Sequence, residues 1–210
     1  MSLLITRPRY DIPTHYLFHW SAGIIEEAKS ARLQVFDLER GKANKRNVES
    51  YFKKQQPKLA VFNGHGNDTS ITGQDGEVLV SANDNVELLR GSIIFVRACN
   101  AGTTLGPAAI KIGAKGFVGY RENFVLLSDN EKVGKPLDDE IASPFLECSN
   151  QVALSLIKGH SAKEAHMSSI KVYKRKIDEM LISTFANTHV LPFLYWNMMN
   201  QTYFEPPSSV

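Results

Sequence analysis

The sequence predicts an α/β protein, a three-layer α/β/α sandwich with a mostly parallel central sheet. Short β-branched and aromatic runs recur at 3–6, 33–38, 59–62, 93–97 and 116–120, and such runs suit strands covered on both faces. Between them lie stretches with apolar residues at three- and four-residue spacing, the mark of helices with one buried stripe. Strand and helix therefore alternate along most of the chain, which builds a parallel sheet with helices on both sides.

Each element has its own local reason. The first run stops at Arg7-Pro8, where proline removes a ladder donor, and Arg7 and Arg9 follow its carboxyl end. From Pro13, the positions Leu17, Trp20, Ile24, Ala28 and Ala31 predict one long helix, with Gly23 inside it. A basic loop at 40–45 leads to a helix over 47–55 whose inward face is Val48, Tyr51, Phe52 and Gln55. The charges at Lys42, Lys45, Arg46, Lys53 and Lys54 read as a solvated surface.

The third strand, 59–63, runs into Asn63-Gly64-His65-Gly66. Asp75-Gly76, between two short apolar runs, predicts a hairpin because both central turn residues need positive φ. Val86, Leu88 and Leu89 form a short helix closed by Gly91. The fourth strand then delivers Arg97-Ala98-Cys99-Asn100-Ala101-Gly102. A helix over 105–112 ends at Gly113, and the fifth strand follows.

Residues 121–140 show no period and are long for a connection inside a compact domain, which marks a functional or mobile loop. Pro144 suits a first helical turn, with Phe145, Cys148, Val152 and Leu156 on one face and a cap at Gly159. Ser161 and Glu164 form a capping box that opens the next helix, which carries Ala165, Ile170, Tyr173, Ile177 and Met180. The aromatic-rich tail over 190–204 fits either a last strand or a helix.

The 210 residues, 43% hydrophobic and 22% charged, are those of an ordinary globular domain. One domain is expected over 1–210, with a core at about 3–180 and the segment 186–205 packed on it. A net charge of +2 is too small a bias to indicate nucleic acid. No apolar run approaches the ~20 residues of a membrane span, and the polar start does not resemble a signal peptide. The expectation is a cytoplasmic protein with no membrane contact. Cys99 and Cys148 offer no disulfide framework and no C-x-x-C spacing. His15 and His19 lack a third ligand, and the glycines at 64 and 66 lack the lysine and hydroxyl of a phosphate loop. No metal and no cofactor is expected.

The chemistry is expected where two strands end. In parallel α/β sheets, ligands gather outside the carboxyl ends of the strands, and there the chain places a thiol and an imidazole, each beside glycine. A thiol becomes a nucleophile when it is partly exposed, near a proton acceptor, and beside donors that hold an oxyanion. His65 supplies the acceptor, and backbone N–H groups at Gly66 and Cys99 are candidate donors. Cys148, on an apolar helix face, reads as core. Asp68 and Asp75 suit turns, although either is also a candidate to orient His65. Arg97 shares the face of Cys99 by period-two alternation. It either pairs internally, with Asp138, Asp139 or Glu140, or it meets an acidic group of a substrate, and Arg7 or Arg9 are candidates for the same pocket.

These residues resemble a family. The Asn63-Gly64-His65-Gly66 and Arg97-Ala98-Cys99-Asn100-Ala101-Gly102 runs, with a hairpin and a helix between them, look like the His-Gly and Ala-Cys motifs of caspase-like cysteine peptidases. The resemblance covers about residues 3–180, and Gly113-Ala114-Lys115-Gly116-Phe117-Val118-Gly119-Tyr120 looks most like the bacterial gingipain and CHAT branches. It implies a caspase-like fold and a His65–Cys99 dyad, with the N–H groups of Gly66 and Cys99 as oxyanion hole. It also implies that Arg97 lines the pocket for the residue before the cleaved bond. The implied activity is endopeptidase cleavage of a protein partner after an acidic residue, in regulated proteolysis of the defence or cell-death kind. Activity would be switched on by a partner protein, a homodimer, or movement of 121–140. The rival reading is a docking module of the same fold with an unproductive dyad.

Overall fold

The computed structural model describes residues 1–182 and 187–207. Its six-stranded sheet is built from β1 (Ser2–Arg7), β2 (Gln34–Glu39), β3 (Leu59–Asn63), β6 (Ile93–Arg97), β7 (Gly116–Tyr120) and β8 (Gln201–Phe204), in the order β2-β1-β3-β6-β7-β8. All neighbours are parallel except β7 and β8, which are antiparallel. A two-stranded ribbon, β4 (Ser70–Thr72) with β5 (Val78–Ser81), sits outside the sheet. Its turn has Asp75 at φ 55° and Gly76 at φ 78°, the left-handed pair that the Asp-Gly signal requires.

Helices cover both faces, and strand alternation decides which residue meets which layer. On one face Leu4, Phe62, Ile94 and Val96 pack with Val48 and Phe52 of α3 (Lys45–Gln55) and Leu105 and Ala109 of α4 (Leu105–Lys111). On the other, Leu3, Ile5, Val61, Phe95 and Val118 pack with Ile24 and Ala28 of α2 (Ala22–Ser30), Val152 and Leu156 of α5 (Ser143–Ile157), and Ala165 of α6 (Ala162–Ile182). Gln55, expected to face inward, is exposed.

The helix expected to run on from Pro13 is two. The chain forms α1 (Ile12–Trp20) and α2, parted at Ser21. The Ser21 hydroxyl donates to the Leu17 carbonyl at 2.6 Å, and the Asn150 amide donates to the Trp20 carbonyl at 2.9 Å. The Leu17 carbonyl thus holds the Ser21 hydroxyl beside the Ser21 N–H, which it accepts at 3.1 Å, and the Trp20 carbonyl at the break is held by a side chain of α5. The tail is both of its expected alternatives in sequence, α7 (Leu191–Asn200) followed at once by β8. Ala186, the first residue of the segment expected over 186–205, lies outside the described residues. The Ser161–Glu164 capping box forms with both of its bonds. Among the described residues no helix is long and apolar enough to cross a membrane.

Candidate active site

Two strand ends build the site. In the parallel pairing of β3 with β6, Asn63 lies opposite Arg97, and the Gly64 N–H still reaches the Arg97 carbonyl at 3.4 Å. His65 and Cys99 each follow two residues later, so the register carries both to the same edge. They line one cleft of about 190 Å³ together with Pro13, Leu17, Arg97, Phe124 and Leu126. Among the described residues no hydrogen bond joins thiol to imidazole.

The two connections approach each other closely because Gly66 has no side chain. A Cβ there would stand 2.9 Å from the Ser70 carbonyl oxygen, 3.0 Å from Ala98 Cβ and 3.1 Å from the Cys99 carbonyl oxygen. Neither the Gly66 nor the Cys99 N–H takes part in a backbone hydrogen bond among the described residues. Asn100 adopts φ 58° directly after the thiol, a left-handed turn that asparagine accepts more readily than most residues. That turn ends the strand.

His65 has a partner that the spacing of the sequence does not reveal. Its Nε2 lies 2.6 Å from Asp11 Oδ2. Asp11 is the N-cap of α1: its Oδ1 accepts the Thr14 N–H at 2.9 Å and the Thr14 hydroxyl at 2.6 Å. One carboxylate oxygen thus caps the helix while the other meets the imidazole. Burial pushes the Asp11 carboxyl upward, but the bonds from Thr14 and His65 outweigh it and hold the group below the usual carboxylate range. An ionised Asp11 fixes the neutral ring with its proton on Nε2, which leaves Nδ1 as the basic nitrogen. Asp68 and Asp75, the sequence candidates for this task, make no hydrogen bond to His65 among the described residues. The Asp68 carbonyl accepts the N–H groups of Thr104 and Leu105, and Asp75 sits at the ribbon tip. The signal that was present in sequence is the Asp11-Ile12-Pro13-Thr14 cap.

The Cys99 thiol is partly buried. Desolvation raises its pKa, while the backbone N–H groups of Phe124 and of Cys99 itself pull it down by less. The resting group is therefore a thiol, and ionisation requires a base. Cys148 is fully buried in the core, as its helix face predicts.

Arg97 is 0% exposed and pairs internally, but not with Asp138, Asp139 or Glu140. Its guanidinium donates to Asn63 Oδ1 at 3.0 and 2.7 Å, to Asn150 Oδ1 at 2.6 Å and to the Ser21 hydroxyl at 3.0 Å. All of these acceptors are neutral. Burial lowers its pKa to about 10, with Tyr120 and Tyr173 opposing, so it carries its charge at neutral pH at the back of the cleft. Asp139 instead anchors 121–140. It takes the Tyr16 hydroxyl at 2.5 Å and the N–H groups of Asp129, Ile141 and Ala142.

Arg7 and Arg9 do not reach the cleft. Arg7 forks onto Asp37 and Glu39 of the neighbouring strand and donates to the Phe18 carbonyl. Arg9 donates from Nε to His15 Nδ1 at 3.0 Å. Both guanidinium groups lie over the Phe18 ring, and neither residue lines the cleft that holds His65 and Cys99. Among the described residues no group of three or more His, Cys, Asp or Glu side chains is arranged to hold a metal.

No protein-family model matches this chain, and no curated protein matches it in sequence. Among solved structures it is similar to the Arg-specific cysteine proteinase gingipain R, with a TM-score of 0.61 over 99% of this chain at 13% identity. The complex of Porphyromonas gingivalis RgpB pro- and mature domains gives 0.59 over 99% at 12% identity. This chain spans 46% and 47% of those chains, about half their length. The shared feature is the fold, the caspase-like α/β sandwich with its mostly parallel sheet.

Proposed function

We propose that the chain is a cysteine endopeptidase working through Cys99 and His65. The supporting observation is that in-register strand ends bring a thiol and a carboxylate-oriented imidazole into one cleft. His65 Nδ1 takes the thiol proton as Sγ attacks the scissile carbonyl carbon. The N–H groups of Gly66 and Cys99 hold the oxyanion that forms. When the tetrahedral species collapses, the C–N bond breaks and the imidazolium returns the proton to the leaving amine. Water then gives a proton to His65 and adds to the thioester carbon, and the thiolate departs and is reprotonated.

A protein partner with an acidic residue before the cleaved bond is the substrate we favour, because Arg97 brings an uncompensated charge to the back of the cleft and attraction to a carboxylate is strong where water is excluded. Fluorogenic peptides with Asp or Glu at that position should be cleaved faster than those with Lys or Arg, and the reverse order would exclude this preference. Iodoacetamide tests the dyad itself, and tests it against a docking module of the same fold. Selective labelling of Cys99 over Cys148, slowed by His65→Ala, together with proteolysis abolished by Cys99→Ala, supports the enzyme. Equal labelling of both thiols, or proteolysis that survives Cys99→Ala, sinks it.

A further inference from the structure

The wall of the cleft beside Cys99 is the stretch 123–126, which has no partner strand and is held from behind by α7. Asn197, fully buried on α7, accepts the Val125 N–H on Oδ1 at 2.9 Å and donates from Nδ2 to the Val125 carbonyl at 2.7 Å. Next to it, the Trp196 indole N–H donates to the Asn123 carbonyl at 3.0 Å. In an extended chain the backbone groups of successive residues point to opposite edges. Groups of 123 and 125 turned to α7 therefore turn those of Phe124 and Leu126 the other way. Consistent with this, Phe124 and Leu126 both line the cleft beside Cys99. Among the described residues no backbone or side-chain hydrogen bond uses the main-chain groups of Phe124 or Leu126.

We propose that Asn197 is a positioning residue for substrate: by occupying both backbone groups of Val125 it presents the free edge of Phe124 and Leu126 as a template on which an extended peptide pairs, strand to strand, beside the thiol. An amide is the one side chain that matches a peptide group donor for acceptor, which is what a splint standing in for a missing strand requires. Added-strand pairing draws affinity from main-chain hydrogen bonds, so the clamp governs peptides long enough to reach the edge and leaves the chemistry at Cys99 alone.

This inference rests on the peptidase reading, and the test separates the two. The substrates are a tetrapeptide amide of the best-cleaved sequence from a randomised pool and its truncated form with one residue before the bond. Asn197→Leu should raise KM for the tetrapeptide about tenfold, the loss of roughly one to two modest hydrogen bonds, with kcat unchanged. The truncated substrate and the rate of Cys99 alkylation should stay the same. Asn197→Asp, which keeps the acceptor for the Val125 N–H and loses the donor, should fall between. Equal losses on long and truncated substrates, or no change on either, would overturn the role of Asn197. If wild type hydrolyses nothing, the peptidase reading fails. Polarisation of the fluorescein-labelled tetrapeptide pool with Cys99→Ala then reads docking directly, and no binding, or binding that Asn197→Leu leaves intact, overturns the template.

Discussion

At the residue scale, Asp11 performs two tasks with two oxygens, and substitution separates them. Asparagine caps a helix about as well as aspartate, so Asp11→Asn should change melting little. Without the carboxylate the imidazole loses the acceptor that sets its tautomer. The kcat should then fall on the order of 10²-fold with KM held, as steady-state kinetics on one peptide would show. A kcat within a factor of about two of wild type would remove Asp11 from the proton path. Arg97 makes the opposite kind of contribution. Replacing it with leucine strands the oxygens of Asn63 and Asn150 in the core, so Arg97→Leu should cost about 2–4 kcal/mol in denaturant unfolding. Its donors join β6 to the α1–α2 junction and to α5, so its loss is felt across both elements.

At the scale of elements, α1 is the hub. Its cap meets His65, His15 Nε2 donates to the Val133 carbonyl at 2.8 Å, Tyr16 holds Asp139, and the Trp20 indole donates to the Pro136 carbonyl at 2.9 Å. The long connection after β7 is thereby fastened to the helix that orients the imidazole. The contact of the two connections that follow β3 and β6 is more delicate. Gly66→Ala puts a methyl against two backbone oxygens and should cost about 1–3 kcal/mol through forced separation, with activity falling further than stability as the N–H groups proposed to hold the oxyanion part. Comparing urea midpoints with kcat/KM on the same preparation checks both halves. These elements differ in how far sequence reveals them. Strand ends, the Asp75-Gly76 turn and the Ser161–Glu164 box are local rules, and each is legible in a few residues. The Asp11–His65 bond spans 54 positions in sequence and exists only because β1 and β3 are neighbours, so the cap was readable and its second oxygen was not. The tail stayed ambiguous for a related reason. Its helix and strand abut without a turn signal, and only pairing with β7 and the clamp on Val125 decide where one ends.

For the whole molecule, the ionisable groups define a window of pH in which the fold is strongest. On the acid side, Asp11 and Glu147 sit below their ordinary range. For Glu147, burial pushes upward and is outweighed by bonds from Lys176 and Ser143. A carboxyl with a depressed folded pKa adds stability above its unfolded value, about 4, and loses it as pH falls through the folded value. Both groups are well hydrated, so the acid slope should be shallow. On the alkaline side, burial raises Cys99, raises Cys148 to about 12, and raises Tyr16, Tyr120 and Tyr173. An acid whose folded pKa is raised adds stability that is complete below its unfolded value and is lost as pH climbs toward the folded one, because only the unfolded chain then ionises. Unfolded thiols ionise near 8.5 and phenols near 10, so the alkaline wall should begin at about pH 8.5 and steepen past about 10. Melting followed by circular dichroism from pH 3 to 11 should trace a plateau around neutrality with a gentle acid edge and a steep alkaline one. A stability that kept rising through pH 10 would contradict the burial of these five groups. The same raised thiol separates reactivity from fold: Cys99 alkylation should still be accelerating at about pH 9, and catalysis at neutral pH would then depend on proton transfer to His65 during the attack instead of on a thiolate formed beforehand.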